Sequence, residues 1–293
     1  MTRSGRFALL IGIFIGLVGC KKSDTNPAAT PTEDLSYANA NGIKGGIAHD
    51  KFWASETGFD QNDTAKINVV SAKSDFFRCK QCHGWDQLGR IGGYINRAPS
   101  ASRPNIASVN LFTSAKSKTA QELFTLIKTG STPAIRRSLT VDLSTYNPTS
   151  NNTIGDQMPN YGQILTDAQI WDLVKFLREE AVDVSLLYDA ALSGTYPTGS
   201  MAISNLGKDG SATAGDSFYS STCAMCHGAT GKAFLVDGNA FTVGRHIRSK
   251  PYEDQHKVKH GNPGTSMVPM VATTTDLKNL YKAMTDTVKF PNN

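Results

Sequence analysis

Apolar side chains recur along the chain in short stripes separated by polar stretches, and each stripe predicts an element. In Lys118 to Thr129 (KTAQELFTLIKT), Leu123, Phe124 and Ile127 fall on one helical face, and Gly130 ends the run. Thr119 with Glu122 has the form of a capping box at its start. Thr166 caps a second helix in which Ile170, Leu173, Val174 and Leu177 share a face. Gln169 completes that cap, and Trp171 and Phe176 add aromatic bulk. A last helix carries Leu277, Leu280, Tyr281 and Met284. From Gly45, the residues Ile47, Phe52 and Trp53 predict a further short helix.

The stretches between these stripes read differently. Residues 21–42 are polar and rich in Ala, Thr, Pro and Asn, too poor in apolar surface to fold alone; they predict a flexible tether. Residues 57–74 and 131–155 read as loop-like insertions. Residues 183–206, rich in Ser, Gly and Thr and containing Pro197, predict a linker. The segment GWDQLGRIGGYINRAPSASRPNI after His83 has the Gly/Pro/Arg content of irregular backbone.

A five-residue motif organises this pattern. Cys79-Lys80-Gln81-Cys82-His83 recurs as Cys223-Ala224-Met225-Cys226-His227, and a glycine follows each copy. Phe76-Phe77 and Phe218-Tyr219 lead into the two copies, and Lys257-Val258-Lys259-His260-Gly261 echoes Ile127-Lys128-Thr129-Gly130. Both halves therefore read helix, C-x-x-C-H-G, loop, helix ending in glycine, methionine segment, helix. This is a duplication at the scale of a domain. C-x-x-C-H is the attachment signature of c-type haem: two thiols on one turn form thioethers to the porphyrin, and the next histidine ligates the iron. A zinc ribbon would place its second C-x-x-C much nearer, and a thioredoxin-like dithiol would want a βαβ context. The spacing assigns Cys79, Cys82, Cys223 and Cys226 to two covalently bound haem c groups, with His83 and His227 as iron ligands.

The sixth iron position decides the chemistry. Met158 is the one methionine between His83 and the end of the first half, and Met158-Pro159 places its sulfur on an extended loop. Methionine–histidine ligation raises the potential and suits electron transfer. In the second half Met267 is the preferred candidate. Met270, or a histidine among His246, His256 and His260, remains an alternative. Trp85, Tyr94, Arg97 and Arg103 are candidates to pack a macrocycle or bond its propionates, with ordinary loop packing preferred for each. His49 receives no role.

The chain has 293 residues and five cysteines, so Cys20 stands apart from the two motifs. Arg3 and Arg6 precede an apolar run from Phe7 to Val18 that, at about 12 residues, falls short of the roughly 20 a membrane span needs. It reads as a signal peptide over 1–19. Leu17-Val18-Gly19-Cys20 resembles a bacterial lipobox, which implies lipidation of Cys20 and a membrane anchor. The formal charge of +5 drops to +3 without Arg3 and Arg6, and haem propionates would bring it near neutral. No dense Lys/Arg run exists, which excludes a nucleic-acid partner. Arg78, Lys80, Arg90, Arg97 and Arg103 against Asp75 and Asp86 make the first motif's surroundings mildly basic.

Over residues 43–182 and 207–293 the chain resembles class I bacterial cytochromes c. The resemblance rests on the paired haem motifs and on Met158-Pro159. It implies an all-α fold of two tandem helical domains, each with its N- and C-terminal helices crossing, joined by the linker 183–206 and preceded by the tether 20–42. It implies Cys79, Cys82, His83 and Met158 around one haem, and Cys223, Cys226, His227 and Met267 around the other. Met267-Val268-Pro269 departs from the Met-Pro of that family. The resemblance implies a membrane-tethered di-haem carrier of single electrons between redox protein partners, exported to the periplasmic side of a bacterial membrane. The competing class is a di-haem enzyme, peroxidase-like or thiosulfate dehydrogenase-like, with one catalytic haem. A haem-based sensor is a third reading.

Overall fold

The computed structural model describes residues 35–54, 75–100, 103–129 and 158–293, which lie in one compact unit, Asp34–Asn293. The signal segment, Cys20 and the insertions 57–74 and 131–155 lie outside the described residues.

In the first half, helices α1 (Leu35–Ala38) and α2 (Gly42–Asp50) precede α3 (Cys79–His83). Then come α4 (Leu111–Lys116), α5 (Ala120–Lys128) and α6 (Asp167–Lys175), the last running on through a π-helical turn to Glu180. Both predicted capping boxes form, Thr119 with Glu122 and Thr166 with Gln169. The stripe Ile170, Leu173, Val174 and Leu177 is buried against Leu123, Phe124 and Ile127, and Phe124 stacks on Trp171 with ring centroids 4.3 Å apart. Burial of each such side chain contributes about 1.5–3 kcal/mol.

Helices α2 and α6 cross where α2 has no side chain. A Cβ on Gly45 would stand 1.9 Å from the Asp172 carbonyl oxygen. The Asn41 amide donates to Asp172 Oδ1 at 2.6 Å, while the Asn41 side chain caps α2 by accepting from the Lys44 amide.

The second half contains α7 (Ala212–Phe218), which continues through a π-helical turn into α8 (Ala224–His227). It is completed by α9 (Val243–Ser249), α10 (Pro251–His260) and α11 (Thr274–Ala283). Its core is a separate cluster built on Tyr219, Leu277, Leu280, Tyr281, Met284 and Phe290. The crossing of α7 and α11 repeats that of α2 and α6 in atomic detail. Ser211 caps α7, its amide donates to Asn279 Oδ1 at 2.8 Å, and a Cβ on Gly215 would stand 1.9 Å from the Asn279 carbonyl oxygen.

Two boundaries differ from the sequence reading. Residues 35–42, assigned to the tether, are folded: Tyr37 is buried, packs edge-on against Trp171 and donates to Glu179. The linker 183–206 is ordered structure, in which Leu187 and Tyr188 are buried and Asp189–Ser193 (β1) pairs antiparallel with Ser200–Ser204 (β2). This small sheet makes the fold mainly α rather than all-α. Each strand is only five residues long and stands on an exposed hairpin, too short a run to mark a sheet among the surrounding Ser, Gly and Thr, which is why composition read them as linker.

A seam joins the two cores. Helix α10 lies on α2, with His256 Nε2 2.9 Å from the Gly46 carbonyl oxygen and the His260 ring in the space a Gly46 side chain would need. Lys259 pairs with Glu180 at 2.9 Å, and Lys51 donates to the Pro263 carbonyl at 2.7 Å. Adjacent glycines thus serve two contacts: Gly45 the helix crossing, Gly46 the seam.

Candidate metal centre

The two C-x-x-C-H motifs share one backbone form. In each, the helical turn ends at a glycine in a conformation that favours glycine, Gly84 with φ 75° and ψ 166°, and Gly228 with φ 75° and ψ 164°. Each glycine amide bonds back to the residue after the first cysteine, Lys80 or Ala224. Nδ1 of His83 and Nδ1 of His227 are both buried without a hydrogen-bond partner.

Around the first motif the fold closes a cavity of about 220 Å³. Cys79, Cys82, His83 and Met158 all line it, so the four residues assigned to one centre meet at one place. Its walls are largely apolar: Phe76 and Phe77 before the motif, Leu111 on α4, Leu123, Leu126 and Ile127 on α5, and Leu173 and Leu177 on α6. Arg78, Asn105, Ser114 and Lys118 supply polar groups to the same lining. Tyr161 follows Met158-Pro159 and donates to the Phe77 carbonyl, tying the methionine loop to the motif.

Burial sets the protonation of these groups. It pushes His83 down to about 4, leaving a neutral imidazole as metal ligation requires. It raises the Cys79 thiol to about 11, and the Cys223 thiol to about 11 as well. Thiols held protonated are the opposite of the activated thiolate in a redox dithiol. Beside them, Arg78 pairs with buried Asp50 and with Asp75, and Lys80, buried near Arg78 and Arg97, falls to about 7. Asp50 therefore offsets part of the positive charge read from the sequence.

The second motif stands in the open. Cys226 is exposed, and the ring of His227 lies 4.7 Å from that of Phe234. Met225, Phe234, Leu235 and Val268 are exposed apolar side chains around this half. Met267 and Met270 both pack partly buried against the second core. Their segment is fixed to the end of α10: the Met270 amide donates to the Val258 carbonyl at 3.0 Å, and the Asn262 amide to the Met267 carbonyl at 2.9 Å. The alternative histidines have other partners. His246 Nδ1 lies 2.8 Å from Asp254, and His256 and His260 belong to the seam.

Trp85, Tyr94, Arg97 and Arg103 are not among the residues lining the cavity. Trp85 and Tyr94 form a small core with Ile106, Arg97 sits over the Tyr94 ring, and Arg103 bonds Ser100. The residue missed is His49. It lines the cavity, is buried, and has neither ring nitrogen hydrogen-bonded. Its place at the end of α2, beside the motif turn, depends on long-range packing that no local pattern announces.

The first site fits a haem on this chain's own chemistry: an apolar cavity, two thiols on one turn, a neutral imidazole and a thioether sulfur. Cys79 and Cys82 would hold it covalently and His83 with Met158 axially, supplying a one-electron iron couple. Residues 70–180 match the family model described as cytochrome c. That match spans the first motif, the cavity helices and α6, and it supports a haem-binding electron carrier in general. No curated protein and no solved structure matches the chain.

Proposed function

We propose that this chain is a membrane-tethered di-haem c-type cytochrome that passes single electrons between redox proteins outside the cytoplasm. The observation that carries the reading is the duplicated helix crossing, Asn41–Gly45 on Asp172 and Ser211–Gly215 on Asn279, with a C-x-x-C-H-G turn of one geometry in each half. Cys223, Cys226 and His227 hold the second haem, and Met267 completes its iron. The protein's part is to hold the iron ligands, exclude water from the first centre and present docking surface.

A carrier is favoured over an enzyme because the groups that would serve a reactive second haem are engaged elsewhere. His246 is held by Asp254, and His256 and His260 pack in the seam. A redox titration with and without cyanide tests this. Two ligand-resistant, six-coordinate haems are expected; one that binds cyanide or turns over peroxide would favour the enzyme. Among the described residues no helix is long and apolar enough to cross a membrane. The tether is assigned to lipidated Cys20, so Cys20→Ala should move the protein from the membrane to the soluble fraction.

A further inference from the structure

We propose that the buried seam around Trp85 and His256 is the route by which an electron crosses between the two haem sites; the inference rests on the two-haem reading above. Trp85 lies two residues beyond the ligand His83, on the first half, yet it is enclosed by the second. Its carbonyl accepts from Gln255 Nε2 at 2.7 Å, and its ring lies 4.9 Å from that of His256. From there α10 leads to Val258, whose carbonyl accepts from the Met270 amide at 3.0 Å, and on to Asn262, which bonds the Met267 carbonyl at 2.9 Å. Every step from the histidine of one centre to the methionine segment of the other is thus a covalent bond, a short hydrogen bond or a ring contact. Tunnelling falls off far more slowly through bonded, close-packed atoms than across gaps.

His256 also touches the other wall of the first cavity. Its ring is 5.5 Å from that of His49, which lines the cavity, and 4.6 Å from that of His260 at the end of α10. Lys80 and Lys257 sit over the Trp85 indole at 5.1 and 5.3 Å. Lys257, joined by Lys80 in its protonated form, places positive charge over the ring and opposes its oxidation, so Trp85 acts as the medium for transfer and is not itself converted to a radical. The balance is simple: one iron goes from ferrous to ferric, the other from ferric to ferrous, and no proton or further reactant takes part.

The test uses the full chain carrying both haems, reduced at one centre by a flash-excited flavin, with re-equilibration followed by transient absorption. Trp85→Leu should slow the exchange about tenfold, whereas His256→Phe, which keeps a ring in the seam, should stay within about twofold. Haem content and both reduction potentials should remain those of the unchanged protein, which separates a lost route from a lost driving force. Gln255→Leu removes the bond to the Trp85 carbonyl, together with a bond to the Tyr252 carbonyl within α10, and keeps the Trp85 ring; a rate about threefold lower is expected even if Trp85→Leu does not fold. Unchanged rates in the folded variants, with two haems bound, would overturn the route alone. A chain that carries one haem would overturn the route together with the reading beneath it.

Discussion

The two halves repeat their frame but not their surroundings. In both, a capped N-terminal helix crosses the C-terminal helix over a glycine, and a C-x-x-C-H turn ends on a left-handed glycine. In the first half the middle helices α4 and α5 wall a cavity, with Leu111, Leu123, Leu126 and Ile127 turned inward. In the second, α10 turns His256 and His260 onto the first half. The position after the crossing glycine marks the same difference. Gly46 admits His260, while its counterpart Asp216 pairs with Lys289 on its own half. Frame is set by caps and close helix approach; the enclosure of a centre is set by what the middle helices face.

The sharpest way to break this comparison is to remove one centre at a time. Cys223→Ala with Cys226→Ala should abolish the second haem and leave the first, and Cys79→Ala with Cys82→Ala should do the reverse, read by pyridine haemochrome. Within the first centre, Met158→Ala should eliminate the near-infrared methionine-to-ferric-iron band and lower that haem's potential. An unchanged band would remove Met158 as ligand.

The frame itself can be tested in both halves. Gly45→Val and Gly215→Val each force a side chain into a carbonyl 1.9 Å from the Cβ position, and each should cost about 3 kcal/mol or more in urea unfolding. Equal losses would mark the crossings as equivalent.

The histidines separate the seam from the second core by pH. Burial lowers His256, and lowers His260 to about 3, so both stay neutral in the folded protein where the unfolded chain would charge. Their contribution is fully present above about pH 6.5 and is lost below it, by up to about 1.4 kcal/mol per pH unit for each. His246 behaves oppositely. Burial works against its charge, but the Asp254 carboxylate outweighs that and raises it. Its contribution is fully present below about pH 6.5 and disappears as pH rises through its folded value. His256→Phe should therefore flatten the acid limb of a stability profile, and His246→Phe the neutral one. The smallest effects belong to the caps: Thr166→Ala and Thr273→Ala should each cost about 1 kcal/mol.

Much of this frame is legible in the chain because its determinants are local. The boxes at Thr119 and Thr166, the stripe from Ile170 to Leu177 and the paired motifs each lie within a few residues. Met158 is also legible, since Met-Pro in a polar loop does not look like core. The seam is not. His49, Gly46, Trp85 and His256 acquire their roles only when helices distant in sequence meet, and each alone looks like an ordinary side chain or a helix-weakening glycine. The hairpin at 189–204 and the packing of Tyr37 escape for the same reason: short segments held in place by contacts made elsewhere.

The most direct test of the whole account is the number of haems on the intact chain. Pyridine haemochrome spectra of the purified full-length protein, set against its concentration, should give two c-type haems per chain. A value of one would contradict the claim that the second half repeats the first in chemistry as well as in frame.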